Sequence, residues 1–402
     1  MATIPFTQGY LRYLMRREDV QEYSLGSNSE DVLMRLTAAE EALNTSTYAV
    51  ELCRPFRPNA SSKDLLFKPS RFEDKLYIRH LNRRLSKAYK VRHTNRHDIV
   101  RQVRELMKAD AHLRIVRADI RRFFRNIDFQ SLLEQLRVDG FLTSTEIDAI
   151  MNIAAFTARF QLRGIPWGLS ISSTLAEIYL RTFDSIIRST QHVYYYQRFV
   201  DDIVLFTTNE AQSMVNQLES QLTAIGLSLN MEKTVAISES PTSTAHFTYL
   251  GYEFNRQPVS KKGATKISVT IDPAKLERLK QRVKESLSQF YIDNNWRDLR
   301  DRIRVLTGNY TIEKSYHETP IKTGIFFNYL EINELSQLQL LDTFLRERLS
   351  ALRSWLRRHG STTHRTNIGE LYKFSFLIGF KNKVIHRISP HRLSQIGGIW
   401  SE

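Results

Sequence analysis

Apolar positions along the chain fall into two periodicities, and the stretches that carry them alternate. The first sixty residues show mixed helical spacing, an acidic pair at Glu40-Glu41 and a proline-rich exit at Pro55 and Pro58. Leu113-Arg114-Ile115-Val116-Arg117-Ala118 alternates loosely and is rich in β-formers, which predicts a strand. Leu175, Tyr179, Phe183 and Ile187 recur every four residues, the pattern of one helix with a buried stripe. Met214, Leu218, Leu222 and Ile225 repeat that spacing, and Gly226 follows as a helix stop. Between the two helices, Tyr194–Phe199 and Ile203–Phe206 predict strands joined across Val200-Asp201-Asp202. The product is a hairpin with two carboxylates at its tip.

The last third changes character. Asp272-Pro273 forms a good cap and first turn, and Leu276, Leu279, Val283, Leu287 and Phe290 continue at helical spacing. Leu335, Leu338, Leu341, Leu345, Leu349 and Leu352 make a second long amphipathic pattern. Residues from about 268 onward therefore read as mostly helical, with a composition shift at Lys261-Lys262-Gly263. Three segments result: a helical extension over 1–60, a mixed segment over 61–267, and a helical domain over 268–402.

Composition sharpens this picture only in places. Of 402 residues, 42% are hydrophobic and 25% charged, a globular balance without low-complexity tracts or repeats. No apolar run approaches the roughly 18 residues of a membrane span. The N-terminus shows no charged region before an apolar one, and a lone Cys53 excludes a disulfide framework or a cysteine-built zinc site. A soluble, cytoplasmic protein without membrane partners is the expectation. Charge says more: 58 Lys and Arg against 43 Asp and Glu leave a net +15, which suits phosphate-rich ligands and favours nucleic acid. The basic run from Arg71 to Arg104 reads equally as a solvated helical face or as a phosphate-binding surface.

Candidate chemistry centres on Asp119, which ends the first strand, and on Asp201-Asp202 in the hairpin. Carboxylates at the ends of neighbouring strands suit Mg²⁺, although Asp in a hairpin turn is also common for conformational reasons alone. Their surroundings decide. Asp119-Ile120-Arg121-Arg122-Phe123-Phe124 is followed by Arg163-Gly164-Ile165-Pro166-Trp167-Gly168, then Arg198-Phe199-Val200-Asp201-Asp202. Gly226–Thr234 and Phe247-Thr248-Tyr249-Leu250-Gly251-Tyr252 complete the series. These five stretches, in order over residues 113–254, resemble the palm of reverse transcriptases. The Phe-Val-Asp-Asp tip, the Gly-Ile-Pro loop and the helical last third look most like the abortive-infection and other defence-associated bacterial enzymes. Leu306-Thr307-Gly308 is similar to the thumb signature of retron enzymes, but some ninety residues follow it.

The resemblance implies an α+β fold: right-hand polymerase fingers and palm over 61–267, with a mostly α-helical, thumb-like C-terminal domain. It implies a DNA polymerase of antiphage defence, RNA-directed or else protein-primed and template-independent. Asp119, Ile120, Asp201 and Asp202 would hold two Mg²⁺ ions, with Mn²⁺ as a substitute, and Lys233 would donate a proton to departing pyrophosphate. Phe124 falls five positions after Asp119, where a bulky ring beneath the incoming sugar selects deoxyribonucleotides. Arg79, Arg96, Pro166 and Gly168 would join it in binding dNTP. Tyr249, Leu250 and Gly251 would grip the primer, although an aromatic core hairpin explains them equally. The implied partners are dNTPs, a noncoding RNA template, a DNA product, and either further copies of the chain or a companion defence protein. Arg278, Lys280, Arg282, Lys284, Arg346, Arg348, Arg353, Arg357 and Arg358 give the last third a basic face for such strands or for assembly. The alternatives are a retron-like or other bacterial reverse transcriptase outside defence, and a catalytically idle nucleic-acid-binding scaffold.

Overall fold

A computed structural model describes residues 5–26, 28–45, 48–57, 65–92, 94–109, 111–257, 265–312, 320–359 and 362–400. The chain divides into two units, each with its own core. The first takes the chain up to Asn95 together with His112–Ser240; the second takes Arg96–Ala111 with residues 241–312 and 320–400.

The first unit is built on a four-stranded antiparallel sheet. Its strands are β1 (Leu113–Asp119), β2 (Val193–Phe199), β3 (Asp202–Thr207) and β4 (Val235–Glu239), in the order β2-β3-β1-β4. Ile203, Val204, Leu205 and Phe206 of β3 are all fully buried, as expected of an inner strand covered on both faces. The covering helix Ala211–Thr223 buries Met214, Leu218 and Leu222, and Gly226 (φ +74°) ends its connection in the left-handed conformation. The single helix expected through Leu175 and Ile187 is instead two, Ser172–Tyr179 and Arg181–Ser189. Leu180, buried and near ψ 0°, forms the joint, and because all four stripe residues still pack inward or against the core, the apolar pattern runs through the break without a mark.

The described residues up to Arg57 are part of this unit, not an appendage. Helices Gln8–Leu14 and Ser29–Leu43 bury Leu11, Leu14, Leu36 and Ala39 in the core shared with helix Phe72–Ala88. Arg79, expected to meet dNTP, is drawn into this packing and is only 7% exposed. Its Nη2 donates to Asp19 (2.9 Å), and its Nη1 donates to Asp19 and to the Leu14 carbonyl. A buried guanidinium keeps its charge only by such pairing, so Arg79 serves the fold and is withdrawn as a substrate ligand.

Glu146 makes a second buried knot. It accepts from Arg84 Nε (2.9 Å) and the Thr143 amide (2.8 Å), with His80 at 3.4 Å. Burial opposes its charge, yet the His80, Arg84 and Thr143 contacts outweigh that and hold its pKa at about 2, below the ordinary 4.5. A carboxyl with a depressed folded pKa stabilises above the unfolded value and loses that contribution as pH falls toward the folded one. Glu146 should thus supply up to about 3 kcal/mol that disappears between pH 4.5 and 2. Urea denaturation of the wild type and Glu146→Gln should show a gap near pH 6 that narrows below pH 4; a gap independent of pH would refute the assignment.

In the second unit, β5 (Ala245–Tyr249), β6 (Tyr252–Gln257) and β7 (Lys266–Ile271) form an antiparallel sheet in sequence order. β5 and β6 turn through Leu250 (φ +49°) and Gly251 (φ +75°), the two left-handed residues of a tight hairpin. The boundary expected between residues 267 and 268 falls inside β7, which pairs with β6 over six positions, so the chain cannot divide there. The division comes after Ser240; Pro58, the boundary at residue 60 and Lys261-Lys262-Gly263 lie outside the described residues.

Helix Pro273–Asp293 starts as expected, with Asp272 Oδ1 accepting from the Ala274 amide (2.7 Å), and buries Val283, Leu287 and Phe290. Helix Ser336–His359 buries Leu338, Leu341, Leu345, Leu349 and Leu352. A small sheet of β8 (Asn309–Ile312), β9 (Ile321–Gly324) and β10 (Ile385–His386) interrupts this mostly helical third, in the order β10-β8-β9. Strands of two to four residues are too short to leave a periodic signal. No helix among the described residues is long and apolar enough to cross a membrane.

Candidate active site

Strand register brings the acidic residues together. β1 pairs with β3 so that Asp119 lies opposite Asp202. Directly opposed residues point to one face of the sheet with Cβ atoms about 5 Å apart. Asp201 occupies the β2–β3 turn itself, and its carbonyl accepts from the Ile120 amide (3.0 Å). Val200, before it, has φ +59°, a conformation that crowds a β-branched side chain and costs on the order of 1–3 kcal/mol.

A buried arginine braces this turn. Arg198 Nη1 donates to the Val200 carbonyl (2.7 Å) and to Glu177 Oε1 (3.0 Å). Its Nη2 donates to Glu177 Oε2 and Asp184 Oδ2 (both 2.7 Å), and its Nε donates to Asp184 Oδ1 (2.9 Å). Tyr196 adds a hydroxyl donated to Asp184 (2.6 Å). Only 2% of the Arg198 side chain is exposed. The two helices on either side of Leu180 each deliver one of these acids. Sequence reasoning assigned Arg198 no part; the signal was a charged residue at an inward position of an aromatic strand.

The Gly226–Thr234 loop closes the other side. Asn230 N donates to the Asp119 carbonyl (2.7 Å) and Arg121 N to Ser228 O (2.9 Å), which fastens the loop along the chain from Asp119. Lys233 Nζ then reaches Asp119 Oδ2 at 3.3 Å while its side chain stays 58% exposed. Arg117, also unforeseen, donates Nη2 to Asp202 Oδ1 (3.2 Å) and Nη1 to the Lys233 carbonyl.

The electrostatics are those of crowded carboxylates. Burial pushes the Asp202 carboxyl up to about 6; Arg117 and Lys233 oppose the rise, while Asp201 and Asp119 add to it. Burial also raises Asp201, and the Asp119 charge reinforces that effect. Two buried acids raised in this way, with the Asp119 carboxylate beside them, offer the oxygen ligands that a hard divalent cation needs. Among the described residues no three His, Cys, Asp or Glu converge into a ready metal cage. That arrangement still fits Mg²⁺, which binds through one or two carboxylates and completes its shell with water and substrate phosphates.

The remaining expected residues scatter. Phe124 is half-buried beside the core residue Phe123, its ring edge-on to Trp167 at 6.2 Å. The Phe124 carbonyl accepts from Ile165 N (2.8 Å), and a Cβ on Gly164 would lie 2.2 Å from that same oxygen. Gly168 (φ +96°) lies against Phe67 O, where a Cβ would approach to 2.5 Å. Gly168 was expected to meet dNTP, but the close approach of both glycines is to the chain's own backbone. Pro166, buried between them, accepts from Ser172 Oγ. Ile120 is buried at 1% exposure.

Arg96 and the expected primer-gripping residues belong to the second unit. Arg96 stacks over the Tyr252 ring (5.1 Å) and donates to the Asn328 carbonyl (2.8 Å). Tyr249 and Leu250 are buried, so the hairpin forms with its aromatic side chains inside the core.

A family model covers the segment that carries the three aspartates. Residues 70–254 match the family model described as reverse transcriptase (RNA-dependent DNA polymerase). A segment of 153 residues is 29% identical to the Gag-Pro-Pol polyprotein of Mason-Pfizer monkey virus, covering 38% of this chain and 8% of the polyprotein. The chain thus spans less than a tenth of that relative's length. Among solved structures, the telomerase of Candida albicans in complex with a fragment of telomeric RNA shares 14% identity, with a TM-score of 0.37 over 87% of this chain and 63% of that one. An apo telomerase from Candida Tropicalis shares 13% identity, with a TM-score of 0.37 over 80% and 52%. Residues 70–254, which hold the three aspartates and everything that positions them, are a reverse transcriptase domain.

Proposed function

We propose that this chain is a DNA polymerase that copies RNA by two-metal nucleotidyl transfer. The observation that carries the reading is the register that sets Asp119 opposite Asp202 beside the braced Val200-Asp201 turn. Asp119, Asp201 and Asp202, with Ile120 between them and the loop, would hold two Mg²⁺ ions, or Mn²⁺. When bound, such ions acidify the attacking hydroxyl and neutralise the leaving pyrophosphate. The chain's own groups do the rest. Lys233, largely exposed but within reach of Asp119, supplies a proton to the departing pyrophosphate. Phe124, half-buried with a ring facing Trp167, serves as the wall beneath the incoming sugar.

The setting we propose is antiphage defence, with a noncoding RNA as template and assembly with further copies or a companion protein. It is supported by the resemblance of the Phe-Val-Asp-Asp tip and Gly-Ile-Pro loop to the defence-associated enzymes and by the net charge of +15. Sequencing the nucleic acid that copurifies identifies the template.

Phe124→Ala tests the choice of product. Opening the space beneath C2′ should reduce discrimination between dNTP and NTP by roughly tenfold to a hundredfold, the range expected for a steric pocket contact. Incorporation of paired dNTP and NTP substrates by the variant and the wild type measures it. An unchanged ratio in a folded variant would assign selection to another group.

A further inference from the structure

One cluster of charge in the second unit has no part in the proposed chemistry. Helix Trp296–Thr307 carries Arg297, Arg300 and Arg304 at offsets of three and four, which places all three on one face. Arg387 and Arg392, around the start of helix Pro390–Gly397, line the same cavity of about 390 Å³. Like charges three and four apart on a helix repel, so the row costs stability wherever it is not paired.

The acids nearby do not balance it. Asp301 Oδ2 accepts from Arg392 Nε (2.9 Å) and pairs with its Nη2 (2.8 Å), while Arg392 Nη1 pairs with Asp298 at 2.7 Å. What remains of Asp301 lies 3.5 Å from Arg304 and 3.9 Å from Arg300, and Glu370 lies 3.9 Å from Arg300, which leaves three acids against five arginines. Among the described residues, Arg297 and Arg387 meet no carboxylate within ion-pair distance, and the buried Nε of Arg300 has no acceptor. Several guanidinium forks thus border one nucleotide-sized cavity with a single carboxylate in its lining. A carboxylate ligand would satisfy one fork; a tetrahedral, multiply charged phosphate satisfies several.

We propose that this cavity binds a phosphate group, contributed by a nucleic-acid backbone or by a free nucleotide. The cavity belongs to the second unit and the three aspartates to the first, and the proposal does not depend on the polymerase reading. Its test uses the full-length protein in EDTA, with inorganic pyrophosphate and ATP titrated by calorimetry and a labelled single-stranded oligonucleotide followed by anisotropy. Arg297→Gln with Arg387→Gln removes two exposed charges, and its melting curve reports on folding.

The double variant should weaken at least one probe tenfold or more. Loss of pyrophosphate and ATP binding alone identifies a free-nucleotide site. Loss of oligonucleotide binding, alone or with the others, identifies a backbone phosphate. Affinities within twofold of the wild type for all three probes, or no binding of any probe by the wild type, would overturn the proposal. The binding assays run in EDTA and need no catalysis, so a failure of the polymerase reading appears in synthesis assays and not here.

Discussion

Asp201→Asn combined with Asp202→Asn should abolish nucleotide addition while leaving the fold at least as stable as the wild type's. Metal-assisted stabilisation of a phosphoryl transition state is worth several kcal/mol, and at about 1.4 kcal/mol per factor of ten its loss means roughly a thousandfold or more in rate. The stability expectation follows from the same geometry. Asp202 has its pKa raised to about 6 chiefly by burial, and Asp201 is raised for the same reason. A carboxyl raised in the folded state is costly once ionised, so neutral amides remove a penalty at pH 7 and above. Calorimetric melting at pH 7.5 should therefore give a temperature equal to or above the wild type's, alongside the lost synthesis. Full activity in the double variant would remove these residues from the chemistry, and a cooperative loss of folding would make them structural.

Arg198 should prove nearly as important, without touching substrate. Arg198→Met leaves Glu177 and Asp184 facing each other without a cation, and breaking a buried pair in this way costs about 3–5 kcal/mol. Arg198→Lys separates the two roles. It retains the positive charge between the acids, but one ammonium cannot reproduce five directed donors across Glu177, Asp184 and the Val200 carbonyl. The lysine variant should recover most of the stability and still lose about tenfold or more in kcat, because a strained turn released by small distances misplaces the reacting groups. KM for dNTP should change far less. A lysine variant with the wild-type kcat would show that the turn holds without the guanidinium.

The strands of this site were readable along the chain because each has its own local pattern. The alternation of Leu113–Ala118 and the apolar runs flanking Val200-Asp201-Asp202 marked them, and the motif order implied that their acidic ends meet, as the β1–β3 register shows. Sequence alone failed where the partner is distant. Arg79 looked available for phosphate because Asp19, which takes it, lies sixty residues away on another helix. Gly168 looked free to meet a nucleotide, and only the folded chain shows that Phe67 backbone lies against it. Arg198 stood inside a recognised motif, and its task became visible only with Glu177 and Asp184 packed against it from two preceding helices. The joint between them left no trace, since the apolar stripe serves a bent pair of helices as well as a straight one.

The most direct measurement is extension of a labelled DNA primer annealed to an RNA template by the purified wild-type chain, with dNTPs and Mg²⁺ or with EDTA. An unprimed reaction covers synthesis from a protein hydroxyl. The account predicts DNA synthesis that appears with Mg²⁺, stops with EDTA and falls away when NTPs replace dNTPs. A folded protein that incorporates nothing in either reaction, or one whose synthesis is indifferent to EDTA, would contradict it.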